Sequence, residues 1–308
     1  MKDRVTFSQM IKAEAQNLGF FACGISKARF LEEEAERFEL WLRKGMHASM
    51  AYIENPREKR LDPCALVPGA KSVVSVLIGY EQVQVQADDT APVVSKYAFG
   101  EDYHRVVKDK LLALLGFIQR ESGQQVKGRA YTDSAPIAEK KWAELSGIAW
   151  RGKHSLMLTQ SGSFFFIGEL IIDLELDYDA PVTSQCGACM RCIEACPTGA
   201  IVEPYVLDTR KCISYYTIEH KGALPEHLKG QFRNRVFGCD ICQDACPYNK
   251  ISTGLSEERF RPRPDFIKLL KEDWHALSES RFNALFMNTA LERTGFSGLK
   301  RNLDFLKS

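Results

Sequence analysis

The 308-residue sequence has almost no net charge: 41 Lys and Arg against 40 Asp and Glu leave +1. This excludes a globally basic nucleic-acid binder and confines any such surface to a local patch. No apolar run approaches a membrane span, and Met1-Lys-Asp-Arg-Val carries neither an apolar signal core nor a twin-arginine pair. The chain is therefore expected in the cytoplasm, away from membranes. No G-x-G-x-x-G occurs anywhere, which removes the Rossmann turn that would hold a nicotinamide or flavin dinucleotide. Low-complexity tracts are also missing. What remains is an ordinary globular composition, 45% hydrophobic and 26% charged, with apolar surface for about two or three domains.

Cysteine is the exception, at ten residues. Cys186, Cys189, Cys192 and Cys196 precede Pro197 in the bacterial ferredoxin pattern C-x2-C-x2-C-x3-C-P. A second run, Cys239, Cys242, Cys246 and Pro247, repeats that pattern without its leading cysteine, and Cys212 is the one candidate in the stretch to fill the vacancy. Eight thiolates suffice for two 4Fe–4S clusters. In two-cluster ferredoxins the last cysteine of a run crosses to the other cluster. Cys186, Cys189, Cys192 and Cys246 then hold one, and Cys212, Cys239, Cys242 and Cys196 the other. Two zinc sites would also use eight thiolates, but zinc has no need of a third cysteine at the next step or of Cys-Pro closing both runs. Disulfides suit an oxidising compartment that nothing here indicates. Cys23 and Cys64 are read as packing residues.

Ahead of this stretch, strands alternate with helices, which predicts an α/β (α+β) domain over residues 1–180. Ser8 is expected to cap a first helix, followed by a strand over Phe20–Ile25 and an amphipathic helix from Phe30 to Lys44. Ser72–Tyr80, rich in β-branched residues, reads as a strand buried on both faces. A loop over Gln82–Pro92, a helix over Tyr103–Glu121 and a strand over Val126–Thr132 come next. Asp133-Ser-Ala-Pro136 is expected to open a helix, with Asp133 or Ser134 as cap and proline in the first turn. Strands over Ser155–Thr159 and Phe164–Asp173 are joined by the turn Ser161-Gly-Ser163. Asp177–Pro181 reads as a linker into a ferredoxin-like domain over 181–250. Helical segments about Asp265–Glu272 and Ser278–Leu291 make up a short helical C-terminus over 251–308. A plain electron relay needs no domain of 180 residues in front of it, so the first domain is expected to hold a cofactor or substrate.

Tyr131-Thr-Asp-Ser-Ala-Pro136, Trp150-Arg-Gly-Lys-His-Ser155, Gly162-Ser-Phe-Phe-Phe-Ile-Gly-Glu-Leu170 and the cysteine array together closely resemble epoxyqueuosine reductase. Gly45-Met-His, Met50-Ala-Tyr52, Tyr97 to His104 and Tyr215 to Tyr248 extend the likeness over nearly the whole chain. The resemblance implies a cobalamin-binding first domain and two 4Fe–4S clusters. It implies reduction of the epoxide of epoxyqueuosine at the tRNA wobble position, the last step to queuosine. Longer members carry a helical-repeat extension that is not present after Ser308. Cobalt can accept electrons singly and carries the hard step, so the protein must supply electrons, orientation and a proton. The resemblance assigns that proton to Asp133; read without it, Asp133 is a helix cap. It implies a base-off cobalamin without a histidine ligand, so His154 lines the pocket, with Ser155 beside it. Gly162 and Ser163 are expected to meet the corrin or its tail through backbone N–H groups, and Arg57 and Tyr97 are carried to the same pocket.

Lys221, Lys229, Arg233 and Arg235 place cations beside the second cluster, where they would neutralise tRNA phosphates; Lys300 and Arg301 could extend the patch. Read from charge alone, these are an ordinary solvated surface. An external electron donor is required, and a monomer is expected. Two other classes fit parts of the pattern: a cobalamin-dependent reductive dehalogenase, and a non-catalytic iron–sulfur electron-transfer subunit.

Overall fold

In the computed structural model, which describes residues 3–80, 86–250 and 257–307, the strand Ser72–Gly79 organises the first half of the chain. All eight of its residues are buried, as its β-branched run requires. Alternate side chains of a strand face opposite ways. Val74, Val76 and Ile78 meet the helices Arg4–Asn17 and Tyr103–Glu121 through Ile11, Ala15, Leu111 and Leu114. Val73 and Leu77 face the opposite side, where Trp142 and Ala143 of the helix Glu139–Leu145 pack. The sheet order is Ala22–Lys27, Ser72–Gly79, Phe165–Ile172, Gly128–Tyr131, antiparallel throughout. Helix–strand alternation did not impose parallel pairing here, and the class is mixed α/β with an antiparallel sheet.

Several local expectations change. The first helix begins at Arg4 under Asp3, whose Oδ1 accepts from Thr6 N at 2.9 Å; Ser8 is buried inside it. Only Met157–Leu158 of the Ser155–Thr159 run is a strand, and it pairs with Trp150–Arg151 rather than with the main sheet. Part of the predicted Gln82–Pro92 loop lies outside the described residues. Asp177–Pro181 is docked along the sheet edge: Asp179 Oδ2 accepts from Ile25 N at 2.8 Å, and its other oxygen meets Lys12 at 2.5 Å.

The cysteine-rich stretch folds as short helices, Arg191–Ala195, Ile213–Ile218 and Ile241–Asp244, around a hairpin of Ile201–Glu203 and Val206–Leu207. A further core joins Val94 and Phe99 to Phe237, Phe266, Trp274, Phe286 and Leu299, and the strand Val93–Val94 pairs in parallel with Arg235–Phe237. The stretch before the helix Tyr103–Glu121, the central helix of the molecule, thus ties the sheet domain to the cluster-bearing part. At the C-terminus, the segment expected over Asp265–Glu272 divides into Pro264–Ile267 and Lys271–His275. The second expected segment is the helix Glu279–Phe286 followed by a 3-10 turn. A thirteen-residue helix, Gly295–Lys307, falls within the helical C-terminus expected over 251–308 but beyond the two segments expected there.

Gly24 is required by this packing. A Cβ on Gly24 would lie 2.1 Å from Ser146 O and 2.7 Å from Ile148 Cγ2, so the loop after Glu139–Leu145 rests on bare backbone. Gly24→Ala is expected to destabilise the protein by ~1–3 kcal/mol, as overpacking does. A thermal midpoint equal to the parent's would show that the loop gives way freely.

Candidate active site and cluster-binding module

Asp133 stands at the end of the edge strand, in a left-handed backbone conformation with φ 47°. Aspartate tolerates that region better than most residues, and such outliers gather at functional sites. Glu139 Oε1 accepts from the Asp133 N–H at 2.6 Å, and Thr132 Oγ1 donates to Ile167 O at 2.8 Å. These bonds fix the turn and correct the capping expectation. The following helix starts at Glu139 under Ala138 with no side-chain cap, because residues 133–138 form a turn held by Arg60 O through Ala138 N–H at 3.2 Å. The Asp133 carboxylate is free of any helix end, and its side chain is 60% exposed.

Its partners come from the start of the central helix. Tyr103 Oη donates to Asp133 Oδ2 at 2.7 Å, and His104 Nε2 lies 3.2 Å from the same oxygen. His104 Nδ1 is 2.7 Å from Asp102 Oδ1, and Asp102 also caps the helix by accepting from His104 N. Tyr103 stacks on Phe166 at 4.2 Å, and Tyr97 meets both rings edge-on. This aromatic floor sets the height of the carboxylate.

Although the Asp133 side chain is 60% exposed, the protein packed around its carboxyl works to raise its pKa; the His104 and Tyr103 hydrogen bonds, with the His104 and Lys140 charges, outweigh this and hold the carboxyl below its usual range. Burial opposes charge on His104 as well, yet hydrogen bonds to Asp102 and Asp133 and their charges lift it to about 9. Glu139, pushed up by burial and by Asp133, sits at about 8. The resting cleft therefore keeps its protons on His104 and Glu139, not on Asp133. Tyr103, His104, Asp102 and Glu139 were not singled out from the sequence; the only signal was that Tyr97 to His104 belongs to the resemblance.

Other predicted pocket residues fare differently. Tyr97 is half-buried, and burial followed by the Asp133 and Asp240 charges raises its pKa well above normal; its ring meets Tyr103 on one side and Phe237 on another. His154 is buried and its Nε2 has no hydrogen-bond partner. Burial, then the Lys140 charge, lowers it to about 4, so the ring is neutral. Ser155 Oγ donates to Tyr205 O at 3.1 Å. Arg57 pairs on the surface with Glu39 at 2.8 Å. The Ser161–Ser163 turn has its N–H groups already engaged: Ser161 with Thr159 Oγ1, Gly162 with Thr159 O, and Ser163 with Asn249 Oδ1 at 2.6 Å. Gln243 and Asn249 also donate to Ser163 Oγ. This turn clamps the cluster-bearing part instead of offering amides to a ligand, and Gly162 is needed because a Cβ would lie 2.3 Å from Asn249 Oδ1.

The eight cysteines gather as two quartets. A single cavity is lined by Cys186, Cys189, Cys192 and Cys246, with Lys153, His154, Leu158, Pro247 and Tyr248. Cys192 is pushed up to about 11 by burial and by Cys246, Cys186 and Cys189. Cys242, raised well above normal, feels burial and then Cys239, Cys212 and Cys196. Thiols so placed need a strongly cationic guest to ionise them. Among the described residues no three His, Cys, Asp or Glu side chains are placed to hold a single metal ion; a cluster spreads its thiolates around an inorganic core. Lys153 Nζ donates to Gly187 O at 2.7 Å and Cys189 O at 2.9 Å, fixing the first loop.

Of the predicted tRNA cations, Lys221, Lys229 and Arg233 are exposed, Lys229 near Glu226 at 3.5 Å. Arg235 is half-buried in its strand. Arg301 is committed to the fold, donating to Tyr216 O, His220 O and Gly222 O, and Lys300 Nζ reaches His275 O.

Residues 185–249 match the 4Fe-4S double cluster binding domain, and residues 60–134 match the family described as Epoxyqueuosine reductase QueG, DUF1730. An epoxyqueuosine reductase from Cellulophaga algicola is 54% identical over the whole of both chains. The chain belongs to the epoxyqueuosine reductase family. It is accordingly an oxidoreductase with a 4Fe–4S double-cluster domain. A crystal structure of an epoxyqueuosine reductase with an epoxyqueuosine-modified tRNA-Tyr stem loop superposes with a TM-score of 0.86 at 28% identity, over 98% of this chain and 80% of that one. A Bacillus subtilis epoxyqueuosine reductase, with its aspartate catalytic loop swung out of the active site, gives 0.86 at 27% identity, over 98% and 81%. No helix among the described residues is long and apolar enough to cross a membrane.

Proposed function

We propose that this chain reduces the epoxide of epoxyqueuosine in tRNA to queuosine, with electrons passing through two 4Fe–4S clusters to a base-off cobalamin and Asp133 delivering protons. The observation that carries this reading is the Asp133 carboxylate, set on an aromatic floor with its side chain 60% exposed and coupled to His104. The cysteine quartets support ligation of one cluster by Cys186, Cys189, Cys192 and Cys246. Cys196, Cys212, Cys239 and Cys242 would hold the other.

The cleft residues fit a corrinoid. His154 presents a neutral nitrogen without a hydrogen-bond partner beside the cavity of Cys186, Cys189, Cys192 and Cys246, and the Lys140 charge acts on both His154 and Asp133. Bound there, cobalamin would supply a low-potential centre able to reduce a carbon–oxygen bond. Tyr97 and His154 would line its pocket, Tyr103 and Phe166 would hold the acid at a fixed height, and Asp133 would hand protons to the departing oxygen. Arg57 and the Ser161–Ser163 turn, expected at the same pocket, are engaged with Glu39 and with Thr159 and Asn249 respectively.

Lys221, Lys229 and Arg233 form the exposed edge of the cluster-bearing part, suited to phosphates of an anticodon arm, with Arg235 as a secondary contact. Replacing Lys221, Lys229 and Arg233 by alanine should weaken binding of a tRNA stem loop and reduce the slope of log K against log salt by about 0.7–0.9 per lost contact. An unchanged slope would move the tRNA surface elsewhere. The function itself is tested by giving pre-reduced protein epoxyqueuosine tRNA or an organohalide: queuosine should form, and dehalogenation alone would replace this reading with the dehalogenase one.

A further inference from the structure

Turning an epoxide into an alkene and water consumes two electrons and two protons, and this inference rests on that reading of the site. Asp133 is one carboxyl group, and in the resting cleft it is held in its ionised form by its neighbours. A source for both protons is therefore needed, and the structure contains one in line with it. Asp102 Oδ1, His104 Nδ1 and Nε2, and Asp133 Oδ2 form a continuous chain with steps of 2.7 and 3.2 Å. Asp102 accepts from Nδ1–H, so the proton that charges His104 sits on Nε2, directed at Asp133.

We propose that the protons used in the reaction are stored on His104 and pass to the substrate oxygen through the Asp133 carboxylate. As the first C–O bond breaks, the reductive electrons leave an alkoxide, which is far more basic than either protein group. The Nε2 proton of His104 passes to the Asp133 carboxylate and from it to the alkoxide, leaving a neutral imidazole and the carboxylate ionised as before. The His104 side chain is 37% exposed and reloads from water. When the second C–O bond breaks, a second proton follows the same path, the oxygen leaves as water, and the carbons close the alkene. The reductase activity supplies both electrons. His104 and Asp102 act through Asp133 and are positioning residues.

The charged groups around this chain are Asp102 in the turn before the central helix, Asp133 on the strand turn, and Glu139 and Lys140 at the start of the following helix. Arg60, Tyr52 and Arg293 also feel the Asp133 charge. His104 is raised above its ordinary value, to about 9. The relay is therefore loaded below that pH and empties as pH rises through it.

The test is single-turnover conversion of an epoxyqueuosine tRNA stem loop by pre-reduced, fully reconstituted protein, followed against pH. The parent should lose rate as pH rises through about 9. His104→Gln should be slower by about 10² at neutral pH, lack that descending limb, and recover in part with added imidazole. Asp102→Asn keeps a good helix cap and should move the limb down by about 1–2 pH units, the range for loss of one adjacent charge. A parental rate and limb in His104→Gln would overturn the relay, as would an unmoved limb in Asp102→Asn. If His104→Gln does not fold, Asp102→Asn decides alone. Asp133→Asn run alongside separates the two ideas: full activity there defeats Asp133 itself, whereas loss there with a parental His104→Gln defeats only the relay.

Discussion

Asp133→Asn should lower epoxide reduction by ~10²–10⁴, the usual span for losing a general acid, while folding and cofactor content survive. Asparagine keeps the shape of the side chain and can still accept from Tyr103, which now donates at 2.7 Å. It cannot carry a proton from His104. The alternative, that Asp133 matters as a helix cap, is closed by geometry, since the next helix begins at Glu139 under Ala138. The turn should survive because asparagine also tolerates φ 47°. Single-turnover conversion by pre-reduced protein measures the effect without electron delivery limiting it. Near-parental conversion would take Asp133 out of the mechanism.

Cys246→Ser should remove the cluster of the first cysteine run, although Cys246 lies in the second. The cavity that holds Cys186, Cys189 and Cys192 is completed by Cys246, and burial raises Cys246, with Cys186 and Cys189 the thiols acting on it. Iron and sulfide should fall from about eight to about four each per chain, and turnover should fail because the electron path is cut. Cys212→Ser should instead cost the other cluster. Burial raises the Cys239 thiol to about 12, and the Cys212 thiol adds to that rise. Iron and sulfide analysis of anaerobically prepared variants checks both. Loss of the second cluster in Cys246→Ser would overturn the crossover, and zinc without sulfide would end the cluster reading.

The double-cluster domain was legible because its two cysteine runs announce it: three-residue steps bring thiols round one guest, and a run closed by Cys-Pro repeats the signal. The strand Ser72–Gly79 was legible for a similar reason, a β-branched run too apolar to face water on either side. The pairing of the sheet was not, since antiparallel order depends on crossovers that local periodicity does not record. The helix Gly295–Lys307 was not singled out within the helical C-terminus because Gly295 and Gly298 occupy its first turn, where propensity is poorest. Asp133 emerged from resemblance, but its chemistry depends on Tyr103 and His104, some thirty residues earlier. Only the fold brings the two segments together. The Ser161–Ser163 turn misled for the converse reason: small residues with free-looking amides were already spent on Asn249 and Thr159.

The most direct test of the whole account is a count of electrons against product. Protein carrying both clusters is reduced anaerobically by a known number of electrons, with or without cobalamin, and mixed with epoxyqueuosine tRNA. One queuosine should appear for every two electrons withdrawn, and only when the corrinoid is bound. Equal yield without cobalamin, or cluster oxidation with no queuosine formed, would contradict it.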